Sequence, residues 1–240
     1  MNNVSQAFAS TSPVTCRVTE GARKWLNVER LLHEMAGFGG LLLDAPCGDC
    51  RLLVTCGIEL GERWDIHRGA RNVVSITPPM RAHAHVVDIT PPRFHSELAE
   101  ASILAVLERL YGLRITERLL REQLPRPRRV TATMLKGKRV GILASPCTSL
   151  EFVGRLCTWG VTVVGTSPLG DARNPDGYRV LADPEELHAQ CDIVVDAHAR
   201  VEMEVEAFGA IVPAFPPTLE VRDAATEAVM AFLRSAQRRQ

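Results

Sequence analysis

Apolar segments in the second half of the chain follow two different spacings. Three short, continuous apolar runs predict buried strands at residues 138–143, 161–167 and 191–197. Between the first two runs the apolar residues recur at helical spacing and share one face of a predicted helix; they are Leu150, Val153, Leu156 and Cys157. Gly160 follows that face, as glycine commonly does just past a helix end. Because strands joined by crossover helices pair in parallel, this half predicts a parallel sheet covered by helices.

The same stretch opens with LKGKRVGIL and later reads ELHAQCDIVV. Both segments, within residues 136–200, resemble the nucleotide-binding domain of NAD-dependent 2-hydroxyacid dehydrogenases, where the pattern is LxGKxVGIxGxGxxG and then ELxxxxDIVV. The resemblance implies a Rossmann-like domain that binds NAD(P). The GxGxxG glycines are missing, and Ala144, Pro146 and Ser149 stand in their places. In that family the glycines allow a tight turn and a close approach of the backbone to a pyrophosphate.

The N-terminal part mixes helical spacing with short apolar runs. Residues 20–36 and 97–111 predict helices capped by Thr19 and Ser96, and NVVSITPP and HVVDITPP predict short strands that end at proline pairs. The overall prediction is an α/β fold, with a C-terminal Rossmann-like parallel sheet that has helices on both faces, and a smaller N-terminal α+β part. The predicted divisions are a flexible tail at 1–13, the α+β domain at 14–124, a proline- and arginine-rich linker at 125–134 and the nucleotide-binding domain at 135–240. A closing helix at 223–238 is expected to pack on the C-terminal sheet.

The segment LLLDAPCGDCRLLV, residues 41–54, permits three interpretations. LLL and RLLV can be the strands of a β-hairpin with its turn at 46–49. Alternatively, LLLDAPCGDC resembles the LDxPCGxG strand and loop that holds S-adenosylmethionine in methyltransferases. Thirdly, Cys47 and Cys50, with Cys56 nearby, can bind zinc or cycle as a dithiol. No metal site is assigned, because a structural zinc site needs four ligands and a second CxxC is absent.

Composition narrows the classes of partner and location. The 28 basic and 28 acidic residues balance, which argues against nucleic acid or an anionic membrane as the main partner. No apolar run approaches the length that crosses a bilayer, and the N-terminus lacks the charged start and apolar core of a secretion signal. The seven cysteines are scattered among strand and helix patterns, which favours free thiols. We therefore expect a cytoplasmic protein.

The ends of the predicted strands indicate the candidate site residues, because ligands of open parallel sheets bind outside the carboxyl ends of the strands. The residues expected to bind a cofactor follow the first strand, the second strand and a short final strand; they are Ser145, Cys147, Thr148, Ser149, Thr166, Ser167, Pro213 and Phe215. Hydroxyl groups and a helix N-terminus after the first strand suit an anion. His198, beside Asp196 at a strand end, is the candidate for acid–base chemistry.

Three functions remain open at this point. The resemblance implies a small-molecule enzyme, an NAD(P)-dependent oxidoreductase, that pairs as a homodimer, as such dehydrogenases often do. An S-adenosylmethionine-dependent methyltransferase on the same architecture is the second interpretation, since its cofactor has no pyrophosphate. The third is a non-catalytic protein that binds a ligand or a metal. The sequence alone does not decide whether the chain is an enzyme or which nucleotide it binds.

Overall fold

The computed structural model describes eleven stretches of the chain: 14–37, 39–43, 50–57, 70–79, 85–123, 133–166, 178–181, 184–197, 205–207, 210–212 and 217–238. Contacts divide the chain into two compact units. Unit 1 combines Met1–Pro91 with Pro217–Gln240, and unit 2 is Pro92–Pro216. Within the described stretches, no helix combines the length and the apolarity that crossing a membrane requires.

Unit 1 is built on a parallel sheet. Its described strands are β1 (Thr15–Val18), β2 (Leu41–Leu43), β3 (Cys50–Thr55), β4 (Ala70–Ser75) and β5 (Val86–Asp88), in the order β2-β1-β3-β4-β5. Every described pair in this sheet is parallel, so the part predicted as α+β has the strand direction of an α/β sheet. The doubly wound order 2-1-3-4-5 reverses direction at β1.

The hairpin interpretation of residues 41–54 is wrong. Strand β1 lies between β2 and β3, with Thr15 paired to Leu41 and Cys16 paired to Leu52. Both pairings are parallel, so LLL and RLLV do not form a two-stranded antiparallel hairpin. The intervening residues 44–49, which include the proposed turn, lie outside the described residues.

The three helices of unit 1 whose bounds are described begin at side-chain caps. They are α1 (Glu20–Arg23), α2 (Val28–Gly37) and α7 (Leu219–Arg238), numbered in chain order over both units. Thr19 caps α1 as predicted, with its side chain accepting the N–H of Ala22 at 3.3 Å. The single predicted helix at 20–36 is divided in two, because Asn27 starts a new helix by accepting the N–H of Arg30 at 3.2 Å.

Helix α7 packs on α2 and so belongs to unit 1. The backbone N–H of Asn27 donates to Thr226 Oγ1 at 3.0 Å, and Asn27 Nδ2 donates to Asp223 Oδ1 at 2.9 Å. Arg30 adds an ion pair with Glu227 at 2.9 Å. This division differs from the predicted one, which places the last helix with the C-terminal sheet and a boundary at 125–134. Helical spacing shows that α7 has an apolar face but not which partner covers it.

Unit 2 contains the second sheet and the helices around it. Its described elements are α3 (Pro92–Tyr111), α4 (Leu113–Arg121), β6 (Arg139–Leu143), α5 (Pro146–Leu156), β7 (Thr162–Gly165), β8 (Tyr178–Val180), α6 (Pro184–Gln190), β9 (Ile193–Asp196), β10 (Val205–Ala207) and β11 (Ala210–Val212). The strand order is β11-β10-β9-β6-β7-β8, with β9, β6, β7 and β8 parallel and the β9–β10 and β10–β11 pairs antiparallel. The predicted α/β class is confirmed, and the C-terminal sheet is parallel as predicted across β9, β6, β7 and β8, with an antiparallel edge at β10 and β11.

The predicted helix after β6 is present with a slightly different buried face. Val153 and Leu156 are buried as predicted, whereas Leu150 is 47% exposed and Phe152 takes its place in the core. Gly160 ends this segment in the left-handed region at φ 72°, as the sequence predicts. Helix α3 begins at Pro92 rather than after Ser96, because proline is well tolerated at the first helical position.

Candidate functional site

The carboxyl ends of three neighbouring strands in unit 2 form the edge where the predicted site residues lie. Strand β6 lies between β7 and β9, and the backbone register pairs Ile142 with Gly165 and Leu143 with Asp196. The chain leaves β6 for β7 on one side and later returns to β9 on the other. Ligands of open α/β sheets bind at such a reversal, outside the carboxyl ends of the strands.

Helix α5 begins directly after β6 and is capped by Ser145. Ser145 has extended backbone angles, its Oγ accepts the N–H of Thr148 at 3.3 Å, and its carbonyl oxygen accepts the N–H of Ser149 at 2.9 Å. Pro146 takes the first helical position, where its missing N–H breaks no helical hydrogen bond. The side chain of Ser145 is only half-buried, so it remains accessible to a ligand.

The hydroxyl of Thr148 faces the interior of unit 2. Thr148 is 1% exposed, and its Oγ1 lies 2.8 Å from Nδ1 of His95 and 3.0 Å from Oγ of Ser145. His95 lies in the first turn of α3, is 8% exposed and meets Phe94 edge to face. These side chains form a hydrogen-bonded chain that no local sequence signal predicts, because His95 and Thr148 are 53 residues apart.

The hydroxyl of Ser149 is also engaged within unit 2. Ser149 is 1% exposed and hydrogen-bonds to Tyr178 on β8. Burial raises the pKa of Tyr178, and the hydrogen bond with Ser149 opposes part of that shift. Gly165, at the end of β7, makes room for Tyr178, because a Cβ atom there would overlap Tyr178 Oη and lie 3.0 Å from Cζ.

The other predicted site residues differ in how exposed they are to solvent. Cys147 is exposed in the first turn of α5, Thr166 is half-buried after β7, and Asp196 is half-buried at the end of β9. The remaining predicted positions lie outside the described residues; they are Ser167, His198, Pro213 and Phe215. The described part of the edge therefore offers Ser145, Cys147, Thr166 and Asp196 to a ligand.

The described cysteines of unit 1 lie in its core. Cys16, Cys50 and Cys56 are each at most 4% exposed. Burial, and then the neighbouring thiol of Cys50, raises the pKa of Cys16 to about 12, which disfavours the thiolate that metals and oxidants need. Cys47 lies outside the described residues, and among those described no group of three or more His, Cys, Asp or Glu residues is placed to hold a metal ion.

Comparison with known proteins gives matches in structure only. No protein-family model matches the chain, and a search of curated proteins finds no match. A 2-hydroxyacid dehydrogenase from Ketogulonicigenium vulgare is 15% identical with a TM-score of 0.53, over 78% of this chain and 64% of that one. An NAD-dependent formate dehydrogenase from Staphylococcus aureus, in complex with NAD, is 16% identical with a TM-score of 0.53, over 78% and 65%. An NADPH-dependent glyoxylate/hydroxypyruvate reductase from Sinorhizobium meliloti is 15% identical with a TM-score of 0.51, over 77% and 63%.

These matches are evidence about the fold. Identities of 15 to 16% are too low to transfer a reaction or a substrate, since one fold supports many functions. The chain spans 64% and 65% of the length of the first two solved structures. The chain has the α/β fold that these dehydrogenases share.

Proposed function

We propose that the chain is an NAD(P)-dependent oxidoreductase that binds a nicotinamide dinucleotide at the carboxyl edge of β9, β6 and β7. The observation that carries this proposal is the start of α5 at the end of β6, with the accessible cap Ser145. A helix N-terminus favours a phosphate through its dipole and its free N–H groups. One neighbour in fold is a complex with NAD and another is NADPH-dependent, and both favour a nicotinamide cofactor over S-adenosylmethionine.

In this proposal the loop after β6 binds the pyrophosphate through different groups from those of a glycine-rich loop. Ala144 and Pro146 bring side-chain atoms into the loop, and Pro146 supplies no N–H. The half-buried hydroxyl of Ser145, between Ala144 and Pro146, is a donor in the same loop. We assign the phosphate contact to this hydroxyl and to the backbone N–H of Cys147, because Pro146 has no N–H and the N–H groups of Thr148 and Ser149 donate to Ser145.

The neighbouring strand ends are assigned to the rest of the cofactor and to the chemistry. Thr166, with Ser167, is proposed to contact the adenosine ribose, and Pro213 and Phe215 are proposed to lie along the cofactor. The bound nicotinamide would exchange a hydride with a small-molecule substrate. His198, beside Asp196, is proposed to take the proton that an alcohol loses on oxidation, or to return it on reduction.

Thermal unfolding with a panel of nucleotides tests this proposal. The panel is NAD⁺, NADH, NADP⁺, NADPH, S-adenosylmethionine and S-adenosylhomocysteine. A ligand at 100 times its Kd stabilises the fold by about 2.7 kcal/mol, which raises the melting temperature by roughly 5 to 10 °C at this chain length. We expect such a shift with a nicotinamide nucleotide. A shift only with the methionine cofactors, or with none of the six, would refute the proposal.

A matched pair of cap variants locates the site. Ser145 Oγ accepts the N–H of Thr148 at 3.3 Å, and Thr218 Oγ1 accepts the N–H of Val221 at the start of α7 at the same distance. Ser145→Ala and Thr218→Ala should each lower the stability of the free protein by about 1 kcal/mol, since each loses a helix cap. Only Ser145→Ala should reduce the ligand-induced shift. An equal ligand response in both variants would place the nucleotide elsewhere.

A further inference from the structure

A buried chain of hydrogen bonds links His95 to the cap of α5. Nδ1 of His95 lies 2.8 Å from Oγ1 of Thr148, which lies 3.0 Å from Oγ of Ser145. His95 and Thr148 are 8% and 1% exposed, whereas Ser145 is half-buried. All three side chains belong to unit 2, and the row of hydrogen bonds ends at Ser145, which is the member that a ligand can reach.

The hydroxyl groups in this chain have two self-consistent orders, because each hydroxyl donates one proton and accepts up to two. When Nδ1 of His95 carries no proton, Thr148 donates to it and Ser145 donates to Thr148. A lone pair of Ser145 then faces outward. When Nδ1 carries a proton, it donates to Thr148, and Thr148 donates to Ser145. The proton of Ser145 is then available to an external acceptor.

We propose that His95 is a positioning residue for the phosphate of the dinucleotide. With a proton on Nδ1 it orders Thr148 and Ser145 so that the Ser145 hydroxyl donates to a phosphate oxygen. The inference rests on the proposed function and adds a residue to it. A phosphate selects this order because an anionic oxygen gains a charge-assisted hydrogen bond there, and meets an outward lone pair in the other order. His95 acts only through Thr148 and Ser145.

The packing of α3 on α5 has a second anchor that is independent of His95. Nη2 of Arg155 on α5 donates to Ser96 Oγ at 2.6 Å and to Glu100 Oε1 at 3.0 Å, both on α3. Arg155 also pairs with Glu151 in its own helix, and this hydrogen bond is the main reason that the pKa of Arg155 is raised. None of these contacts uses the His95 side chain, so we expect them to persist in a His95 variant and an effect on ligand affinity to be separable from a loss of structure.

A double-mutant cycle on the binding of NADH and NADPH, read by nicotinamide fluorescence, tests the proposal. His95→Leu should weaken binding about tenfold when Ser145 is present, as expected for one hydrogen bond to a charged group. In the Ser145→Ala background the same change should weaken binding less than about twofold, because the chain then has no donor to order. Thr148→Val should match His95→Leu, and Thr148→Ser should keep binding within about twofold of the original.

A purely structural role would weaken binding equally in both backgrounds, and that result overturns the proposal. Nitrogen NMR of the unaltered protein saturated with the nucleotide needs no variant to fold. His95, whose Nδ1 lies 2.8 Å from Thr148 Oγ1, should carry a proton on Nδ1, and an unprotonated Nδ1 overturns the proposal. If the unaltered protein binds neither NADH nor NADPH, the proposed function fails and this inference fails with it. Binding with an additive cycle refutes the role of His95 alone.

Discussion

Gly165→Ala should destabilise unit 2, because Tyr178 lies across the end of β7. A Cβ atom at position 165 would overlap Tyr178 Oη and lie 3.0 Å from Cζ and 3.1 Å from Cε2. Tyr178 is 6% exposed, and its hydroxyl hydrogen-bonds to Ser149 in the first turn of α5. Relief of the overlap therefore requires a buried ring to move away from its hydrogen-bond partner.

Two free-energy costs set the size of the effect. Overpacking a buried site costs about 1–3 kcal/mol. Leaving the hydroxyl of Ser149, which is 1% exposed, without a partner costs about 1–3 kcal/mol more. We expect a loss of about 2–4 kcal/mol in the free energy of unfolding, since the ring can relieve part of the overlap. Gly154→Ala in α5 is the matched control, because a Cβ atom there meets nothing within 4 Å and alanine favours a helix by about 0.5–1 kcal/mol.

Urea unfolding followed by circular dichroism measures both variants, and hydrogen exchange on peptides from β7 and α5 locates the change in unit 2. Tyr178→Phe removes the overlapping oxygen, so Gly165→Ala should cost less in that background, with a coupling of about 0.5–3 kcal/mol. Equal stabilities for Gly165→Ala and Gly154→Ala would refute the reasoning. So would a cost of Gly165→Ala that is the same with tyrosine and with phenylalanine at position 178.

Two further predictions concern titrating groups. Asp192 accepts the backbone N–H of Arg139 at 2.8 Å and pairs with Lys138 at 3.3 Å, and these contacts hold the pKa of its carboxyl below the ordinary 3.8. A lowered carboxyl pKa stabilises the fold above pH 3.8, and this stabilisation is lost as the pH falls through the pKa of the folded state. In urea titrations the free energy of unfolding should therefore exceed that of Asp192→Asn at neutral pH, and the difference should vanish in acid. An unchanged difference in acid would contradict this. Iodoacetamide at mildly alkaline pH should modify exposed Cys147 in the folded protein and spare Cys16, whose pKa burial raises to about 12; peptide mass spectrometry that finds Cys16 modified first would contradict this.

The strands of the second sheet were predictable because their signal is local. A strand covered on both faces reads as a continuous apolar run, and β6, β7 and β9 have such runs. Gly160 was predictable for the same reason, since a left-handed residue at a helix end favours glycine whatever the rest of the chain does.

Local sequence signals did not predict the strand pairing of the first sheet. Proline, glycine and aspartate between LLL and RLLV are typical of a hairpin turn, but β1 inserts between β2 and β3 and both pairings are parallel. Turn chemistry contains no information about a strand contributed by an earlier segment. The packing of α7 on α2 was not predicted for a similar reason, because an apolar helix face does not identify its partner.

The same contrast between local and long-range signals applies to the residues of the candidate site. Ser145 was found from the sequence because it directly follows a predicted strand, and ligands of open parallel sheets bind outside the carboxyl ends of the strands. The burial of Thr148 and Ser149 was not, because it depends on His95 in α3 and Tyr178 in β8. Distant side chains thus decide which hydroxyl groups of one helical turn face a ligand and which face the interior.

The membership of α7 in unit 1 has a consequence for biosynthesis. The hydrogen bond from Asn27 to Thr226 joins residues 199 positions apart, whereas unit 2 is one uninterrupted stretch. A ribosome releases the chain from its N-terminus, so α2 emerges long before the helix that covers it exists. Unit 2 has all its residues while unit 1 still lacks its last helix, and long-range contacts of this kind form slowly. During synthesis the face of α2 that α7 covers is therefore exposed until the C-terminal helix has emerged, whereas unit 2 can fold without waiting for it.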